Sequence, residues 1–410
     1  MAEHQAGGVG ADGAAHSRAD NGPAPDPSGG RPAWRRHLDW TVVVPLLGLV
    51  VLGLSWGRSL STPVLVLVAV LLVASVLAAV HHAEVIAHRV GEPLGSLVLA
   101  VAVTVIEVAL IVTLTVSADK DVSTLARDTV FAAVMLTLNF IVGLSILIAS
   151  LRHHLAEFNP EGTGAALSAA LTLVILCFVV PRYTTTTSGP DFSPAQLGFA
   201  AVCSLAVYLL FLFTQTVRHR DFFLPVKQAV SGSGPTPGHG DEGDGIEPDD
   251  AEDHADVDSQ RSSTAAFALL VAALVAVVGL AKVESAPIER IVSRLGLEHA
   301  FVGVVVAIVV LGPESVAAAR AAYADRVQTS LNLAYGSCLA CVGLTIPVIA
   351  LSTIWIDQPL HLGLDPVHLV LLVATGFVSV LTVVPGRAKP LQAGLHLTLA
   401  AAFIFLTVQP

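Results

Sequence analysis

The sequence has few charged residues for its length, and this scarcity excludes a soluble globular protein. Only 13% of the 410 residues are Asp, Glu, Lys or Arg, whereas 54% are apolar and the mean hydropathy is +0.75. Soluble domains average roughly 25% charged residues. We therefore predict an all-α polytopic membrane protein.

Cysteine is also scarce, and its positions exclude a secreted disulfide framework and a zinc knuckle. All four cysteines lie within long apolar runs, at positions 177, 203, 338 and 341. Cys338 and Cys341 have the spacing C-x-x-C, which on a membrane helix indicates packing more often than a redox or metal site. The chain also lacks a signal-peptide pattern before its first apolar run, so we interpret residues 1–36 as a disordered cytoplasmic tail.

Long apolar runs are abundant. About eleven of them approach the roughly 20 residues that a spanning helix needs. They lie at 41–57, 62–82, 95–116, 129–150, 163–181, 195–217, 264–282, 299–319, 329–354, 366–384 and 391–408. Lys and Arg are enriched in the connections that are cytoplasmic if the N-terminus is inside. We predict a multi-pass protein of the cell (cytoplasmic) membrane with its C-terminus outside.

A strongly acidic segment separates the first six runs from the last five. Residues 238–258 carry many Asp and Glu residues and no Lys or Arg, a composition typical of a disordered loop. If the first run is an extra helix, each half has five spans, and an odd-numbered half repeated in one chain must be inverted. The predicted parts are a tail (1–36), an extra N-terminal helix (37–60), a first five-helix repeat (61–217), an acidic cytoplasmic loop (218–263) and a second five-helix repeat (264–410).

Two carboxylates occupy matching positions in the two halves. Glu107 is the only charged residue of 96–116, and Glu314 lies in an otherwise uncharged run at 300–319. An ionisable group at this depth costs roughly 2.5 to 3.5 kcal/mol on insertion scales, and such groups usually serve transport, proton relay or ion pairing. No Lys or Arg lies comparably deep in any run, which leaves an ion pair without a candidate partner. We predict that Glu107 and Glu314 bind both the transported cation and protons, because converging carboxylates suit a hard cation and also titrate as a coupled pair.

Neutral oxygen ligands are expected from neighbouring positions. Thr104 shares a helix face with Glu107, Asn139 is the only amide inside the following span, and Ser337 lies in the span after Glu314. Each could instead hydrogen-bond within or between helices. Gly312 and Pro313 precede Glu314 and are expected to break its helix and free backbone carbonyls.

A histidine-rich segment precedes the third run. His81, Glu84 and His88 are spaced to share one helical face, which makes a regulatory pH sensor or a transient metal site conceivable beside the alternative of a solvated helix end. The metalloprotease pattern H-E-x-x-H is absent.

The acidic loop is the second candidate regulatory element. Its candidate residues are Asp241, Glu242 and Asp244 of the acidic segment 238–258, and the loop could collect cations electrostatically or serve only as a linker. The residue order of an EF-hand is absent from it.

Two segments of the first half resemble the calcium/cation antiporter superfamily, in particular its calcium/proton exchanger branch with the ChaA-type bacterial members. AHRVGEPLGSLVLAVAVTVIEV (87–108) is similar to the first repeat of that branch and places its glutamate on Glu107. LNFIVGLSILIASLRHHLAEFN (138–159) resembles the following helix and places its asparagine on Asn139.

The second half carries the same resemblance. Glu314 followed by GSCLACVGLTIP (336–347) is similar to the E-to-G-S-S spacing of the branch, with its serines on Ser337 and Cys338. The chain departs from the branch at Thr104, where relatives have Asn. The resemblance implies a ten-helix inverted-repeat core, here with one added helix, and alternating access in which the two glutamates exchange a cation for protons.

The leading hypothesis is therefore a secondary active Ca²⁺/H⁺ antiporter that exports Ca²⁺ in exchange for protons. One alternative is a Na⁺ or K⁺/H⁺ antiporter on the same fold. Alternatives of other classes are a non-transporting membrane cation sensor and an intramembrane enzyme, the latter disfavoured because no nucleophile or metal motif accompanies either glutamate. We expect lipid, the cation and protons as partners, no nucleic acid and no cofactor; the sequence does not indicate the oligomeric state.

Overall fold

A computed structural model provides the fold. It describes residues 39–58, 60–90, 94–117, 123–224, 263–294, 296, 298, 300–355 and 360–409. The predicted tail, most of the acidic loop and its residues Asp241, Glu242 and Asp244 lie outside the described residues. The compact unit that follows the tail begins at Trp40.

The described chain is almost entirely helical, and each apolar run of the sequence forms a helix. In chain order the helices are α1 (Trp40–Ser55), α2 (Thr62–Val90), α3 (Leu94–Ser117), α4 (Leu125–His153), α5 (Pro160–Tyr183), α6 (Pro194–Arg218), α7 (Ser263–Arg294), α8 (Ala300–Tyr323), α9 (Val327–Ser352), α10 (Pro366–Val383) and α11 (Pro390–Val408). Among the described residues, nine helices are long and apolar enough to cross a membrane; α1 and the apolar segment Val101–Ile111 of α3 are shorter. The predicted all-α polytopic fold is confirmed.

Several helices begin or change pitch for identifiable reasons. Asn159 caps α5 by accepting hydrogen bonds from the backbone of Glu161 and Gly162, and a proline starts the helix. Helix α4 passes through a π-helical turn at Leu136–Ile141, a distortion that recurs at functional sites. By contrast, α8 remains helical through Gly312 and Pro313, so the expected break before Glu314 is wrong. Proline removes one backbone hydrogen bond there, and the neighbouring helices hold the rest of the helix in place.

Loop contacts define the two ends of the helix bundle. At one end, called side A, the backbone N–H of Gly363 donates to Pro190 O and that of His361 donates to Ser123 O, each at 2.9 Å. At the other end, called side B, the two-residue strands β1 (Ala156–Glu157) and β2 (Arg387–Ala388) pair antiparallel. The chain therefore alternates between the two ends along its length, as a multi-pass membrane protein does.

The two halves of the bundle are related by inversion. Helix α2 runs from side A to side B, α7 runs the opposite way, and the two pack along each other with α1 against both. Helix α4 packs against α8 and α11, while its counterpart α9 packs against α3 and α6. The segments VGLS at 142–145 and VGLT at 342–345 are the sequence trace of this relation. Inverted repeats place a transport site where the two halves meet.

Glycines permit the closest helix contacts. A Cβ at Gly279 of α7 would lie 2.2 Å from Leu52 Cδ2 of α1, and a Cβ at Gly343 of α9 would lie 2.6 Å from Tyr208 Cβ of α6. Small residues at such crossings are typical of membrane helices, whose association depends on close van der Waals packing.

Candidate functional site

Glu107 lies near the middle of α3 and is buried against α9. Its side chain is 3% exposed. The Cys341 thiol donates to Oε1 at 2.9 Å, and the Thr345 hydroxyl is 3.5 Å from Oε2. Both donors are weak or long, so this carboxylate has acceptor capacity left for a cation or a proton.

Glu314 lies at the corresponding depth of α8. It is 9% exposed, and its Oε2 has no hydrogen-bond partner among the described residues. A buried carboxylate oxygen without a partner is costly unless the group is neutralised or ligated. Glu314 is therefore the less satisfied of the two carboxylates.

One cavity of about 320 Å³ joins the two glutamates. Its wall comes from both repeats, and its polar lining residues are Glu84, Thr104, Glu107, Thr129, Tyr208, Gln215, Glu314, Thr329, Asn332, Ser337 and Cys341. Toward side B the lining residues Glu84 and Thr329 are exposed, whereas Thr129 toward side A is 1% exposed. The cavity is therefore open toward side B and closed toward side A.

Four of the five predicted ligands line this cavity together. Thr104 lies one turn before Glu107 on the same face of α3, and Ser337 is a half-buried residue of α9. Their hydroxyls add neutral oxygens to the two carboxylates. Within the described ranges, no group of three or more His, Cys, Asp or Glu side chains is arranged to hold a metal ion. A cation here depends on hydroxyl and water oxygens beside the glutamates.

Asn139, the fifth predicted ligand, is turned away from the described lining of the cavity. It lies in the π-helical turn, where its Nδ2 donates to Met135 O at 3.1 Å and to Thr375 Oγ1 at 3.0 Å. Its Oδ1 has no hydrogen-bond partner in the described part of the chain. Its role as a ligand stays a prediction.

The three residues of the candidate regulatory cluster lie along the C-terminal part of α2. Glu84 lines the cavity, His81 stands with its ring 6.3 Å from that of Trp40, and His88 is exposed. The neighbouring His82 contacts Thr41 O at 2.9 Å and ties α2 to α1. The role of His81, Glu84 and His88 as a regulatory site stays a prediction.

Sequence reasoning missed the thiol beside Glu107. Cys341 lies four residues after Ser337, a spacing that puts the two side chains on one face of α9. That spacing is the available signal that Cys341 faces the site, although a C-x-x-C pair on a membrane helix more often indicates packing. Thr345, one turn further, extends the same face.

Comparisons with known proteins agree with this architecture. The sodium/calcium exchanger protein family matches residues 60–217 and 265–409. The chain is 40% identical over 374 residues to a putative ionic transporter, y4hA, of Sinorhizobium fredii, and 32% identical over 373 residues to the sodium-potassium/proton antiporter ChaA of Escherichia coli. Each alignment covers 90% of this chain and 96% of the relative.

Solved structures share the fold. Native YfkE superposes with a TM-score of 0.66 at 16% identity, covering 90% of this chain and 99% of that one. The H⁺/Ca²⁺ exchanger CAX superposes with a TM-score of 0.57 at 14% identity, covering 90% and 91%. At these identities the likeness concerns the fold alone. The family match extends over both repeats, and the chain is therefore a multi-pass membrane protein that belongs to the sodium/calcium exchanger family.

Proposed function

We propose that this protein is a secondary active antiporter that exchanges a cation for protons, with Ca²⁺ as the first candidate cation. The observation that carries the proposal is the pair Glu107 and Glu314, at the same depth of inverted helices and on one cavity that is open to a single side. Ca²⁺ prefers oxygen ligands, commonly carboxylates, carbonyls and water. Thr104 and Ser337 supply further oxygens.

Charge balance explains how exchange is enforced. With both carboxylates ionised the empty pair carries two negative charges, which are costly to enclose in a closed, low-dielectric site. One Ca²⁺ neutralises the pair, and so do two protons. In Ca²⁺ exchange, these two loaded states leave the glutamate pair neutral, and they therefore pass readily through the closed intermediate. The protein with an empty, ionised pair does not, so neither ion crosses the membrane without exchange.

Cation binding begins from the arrangement on side B. Solvent reaches the pair from that side, the protons of Glu107 and Glu314 leave, and the cation takes their place between the carboxylate oxygens. The Cys341 S–H occupies one lone pair of Glu107 Oε1, and the cation binds at the lone pairs that remain free on the two carboxylate oxygens.

The orientation follows from basic residues at the two ends. Side B carries Arg89, Arg152, Arg218, Arg220, Arg320, Arg326, Arg387 and Lys389, whereas side A carries fewer Lys and Arg residues. In the cytoplasmic membrane, which is the location proposed for this protein, the positive-inside rule favours side B as the cytoplasmic side. The open cavity then faces the compartment from which an exporter collects its cation. No cofactor is needed for this cycle.

A Na⁺ or K⁺/H⁺ antiporter is the second candidate. The relative from Escherichia coli is named a sodium-potassium/proton antiporter, and Thr104 provides one hydroxyl where the calcium/proton branch has an amide. The same charge balance accommodates a monovalent ion if one carboxylate retains its proton.

Everted membrane vesicles with a preset proton gradient test the proposal. Ca²⁺, Na⁺ and K⁺ are added separately while lumenal pH is recorded for the native chain, Glu107→Gln, Glu314→Gln and the control Glu161→Gln, an exposed residue in the first turn of α5. The native chain and the control should dissipate the gradient with at least one cation, and both site variants should lose this response. Exchange is ruled out if no cation acts on the native chain, or if both site variants respond as it does; the second result also favours a sensor.

A further inference from the structure

Helices α2 and α7 each carry a carboxylate in their C-terminal part. Glu84 lies six residues before the end of α2, and Glu284 lies ten residues before the end of α7. Because the two helices run in opposite directions, Glu84 belongs to the side B half of the bundle and Glu284 to the side A half. Glu84 is exposed in the open cavity, whereas Glu284 is 4% exposed in the closed half.

Glu284 is buried without a full set of partners. Its Oε1 has no hydrogen-bond partner among the residues that the structure describes. On the same face of α7, Ala281 and Ile288 pack in a core shared with α2, α3 and α8. An unpaired charge in such a core is costly, so a carboxyl group is favoured there in its neutral, protonated form.

Most titratable groups of the neighbouring helices lie away from the side A half of α7. The helices packed on it carry His81, His82, Glu84, His88 and Arg89 in α2, Glu107 in α3, and Glu314 and Arg320 in α8, all at the middle or in the side B half. Helix α4, which contributes Leu125 to the same core, carries Arg127 and Asp128 in the side A half, paired with each other at 2.7 Å. Helix α7 itself also carries Lys282, Glu289, Arg290 and Arg294, and α1 carries none. Lys282 and Arg290 are exposed. The hydrophobic core that Ala281 and Ile288 join also includes Val302 and Val306 of α8.

We propose that Glu284 is a proton-binding residue of the side A pathway, which must take up a proton from side A before that half can close. The inference rests on the proposed exchange function. When side A opens, water reaches Glu284 and its carboxyl group releases its proton to that water. Before side A closes, the carboxylate accepts one proton from side A. Closure of the side A half therefore requires protons in the compartment on side A, which supplies the protons for exchange.

The two halves of the bundle support this assignment by their contrast. The carboxylate on the open side lines the cavity and is exposed, and the carboxylate on the closed side is buried with one unsatisfied oxygen. An apolar side chain would fill the same core without the desolvation cost of a carboxyl group.

The test measures exchange in everted vesicles while lumenal and external pH are varied independently. Native protein, Glu284→Gln, Glu284→Asp and the control Glu161→Gln are compared. For Glu284→Gln, the slope of log rate against the pH on side A should fall by about one, because one fewer proton is bound from that side per cycle. The slope against the pH on side B should not change, and Glu284→Asp should restore the native slope.

Two results overturn the proposal: an unchanged side A slope in Glu284→Gln, or a uniform loss of rate at every pH with both slopes preserved. If Glu284→Gln does not reach the membrane, Glu284→Cys is treated with a membrane-impermeant thiol reagent on each side, with the native chain as background. Labelling from side A during turnover supports the pathway, and none from that side refutes it. If the native chain exchanges no cation, the proposed function itself is wrong. That result is distinct from a result in which the native chain is active and Glu284→Gln keeps its native slopes.

Discussion

Replacing Cys341 by serine should tighten Ca²⁺ binding. The thiol lies 2.9 Å from Glu107 Oε1 and lines the cavity, so a hydroxyl at this position can donate to the same carboxylate and offer an oxygen to the cation. A thiol is a weak donor and a poor ligand for a hard cation.

The magnitude follows from the hydrogen bond. A bond to a charged group contributes about 1.5 to 3 kcal/mol and a neutral or weak one about 0.5 to 1.5 kcal/mol, a gain of about 1 kcal/mol. That energy corresponds to an approximately fivefold lower apparent KM for Ca²⁺. The gain acts through competition, because the hydroxyl stabilises the ionised carboxylate against protonation and protons compete with Ca²⁺ for it.

Everted vesicles give the apparent KM from the initial rate of ⁴⁵Ca²⁺ uptake at fixed pH. Cys341→Ala should raise the apparent KM slightly, since it removes the weak donor and adds no ligand. Cys177→Ser, in α5 and outside the described cavity lining, serves as the control and should behave as native. If Cys341→Ser and Cys341→Ala shift the KM in the same direction, the assigned contact with Glu107 is wrong.

Two further outcomes follow from the same geometry. Thr104→Asn should raise the ratio of Ca²⁺ to Na⁺ exchange, and an unchanged ratio would remove this position from ion selection. Gly343→Ala should lower the free energy of unfolding of the detergent-solubilised protein by about 1 to 3 kcal/mol, because the new Cβ overpacks against Tyr208. Gly394→Ala is the control and should leave that free energy unchanged, since no described atom lies within 4 Å of its new Cβ.

The helices could be predicted because spanning segments are marked by composition. A run of about 20 apolar residues is typical of a spanning helix, and a single carboxylate within such a run, as at Glu107 and Glu314, indicates a functional residue. Glu284 escaped because the predicted run ended at 282, where Lys282 interrupts the hydropathy, although α7 continues to Arg294. Hydropathy locates the lipid-facing part of a helix and does not report a buried face that extends beyond it.

The lateral arrangement of the site could not be predicted from the sequence. The direction of Asn139 depends on the π-helical turn at Leu136–Ile141, which rotates the side chains that follow it. No local residue pattern specified that turn. Similarly, the spacing of Glu84 predicts that it shares a helix face with His81 and His88, and only the packing of α2 shows that it also lines the cavity. Spacing determines which residues share a helix face, and only packing determines what that face meets.

The most direct test of the central claim is the number of protons released when the purified protein binds Ca²⁺. Isothermal titration in buffers of different ionisation enthalpy measures this number, because ligands that bind a metal must first lose their protons. If Glu107 and Glu314 hold either two protons or one Ca²⁺, the native protein should release about two protons per Ca²⁺ at a pH where both glutamates are protonated, and Glu107→Gln should lose that coupled release. Ca²⁺ binding without proton release over the whole range in which exchange occurs would contradict a shared site.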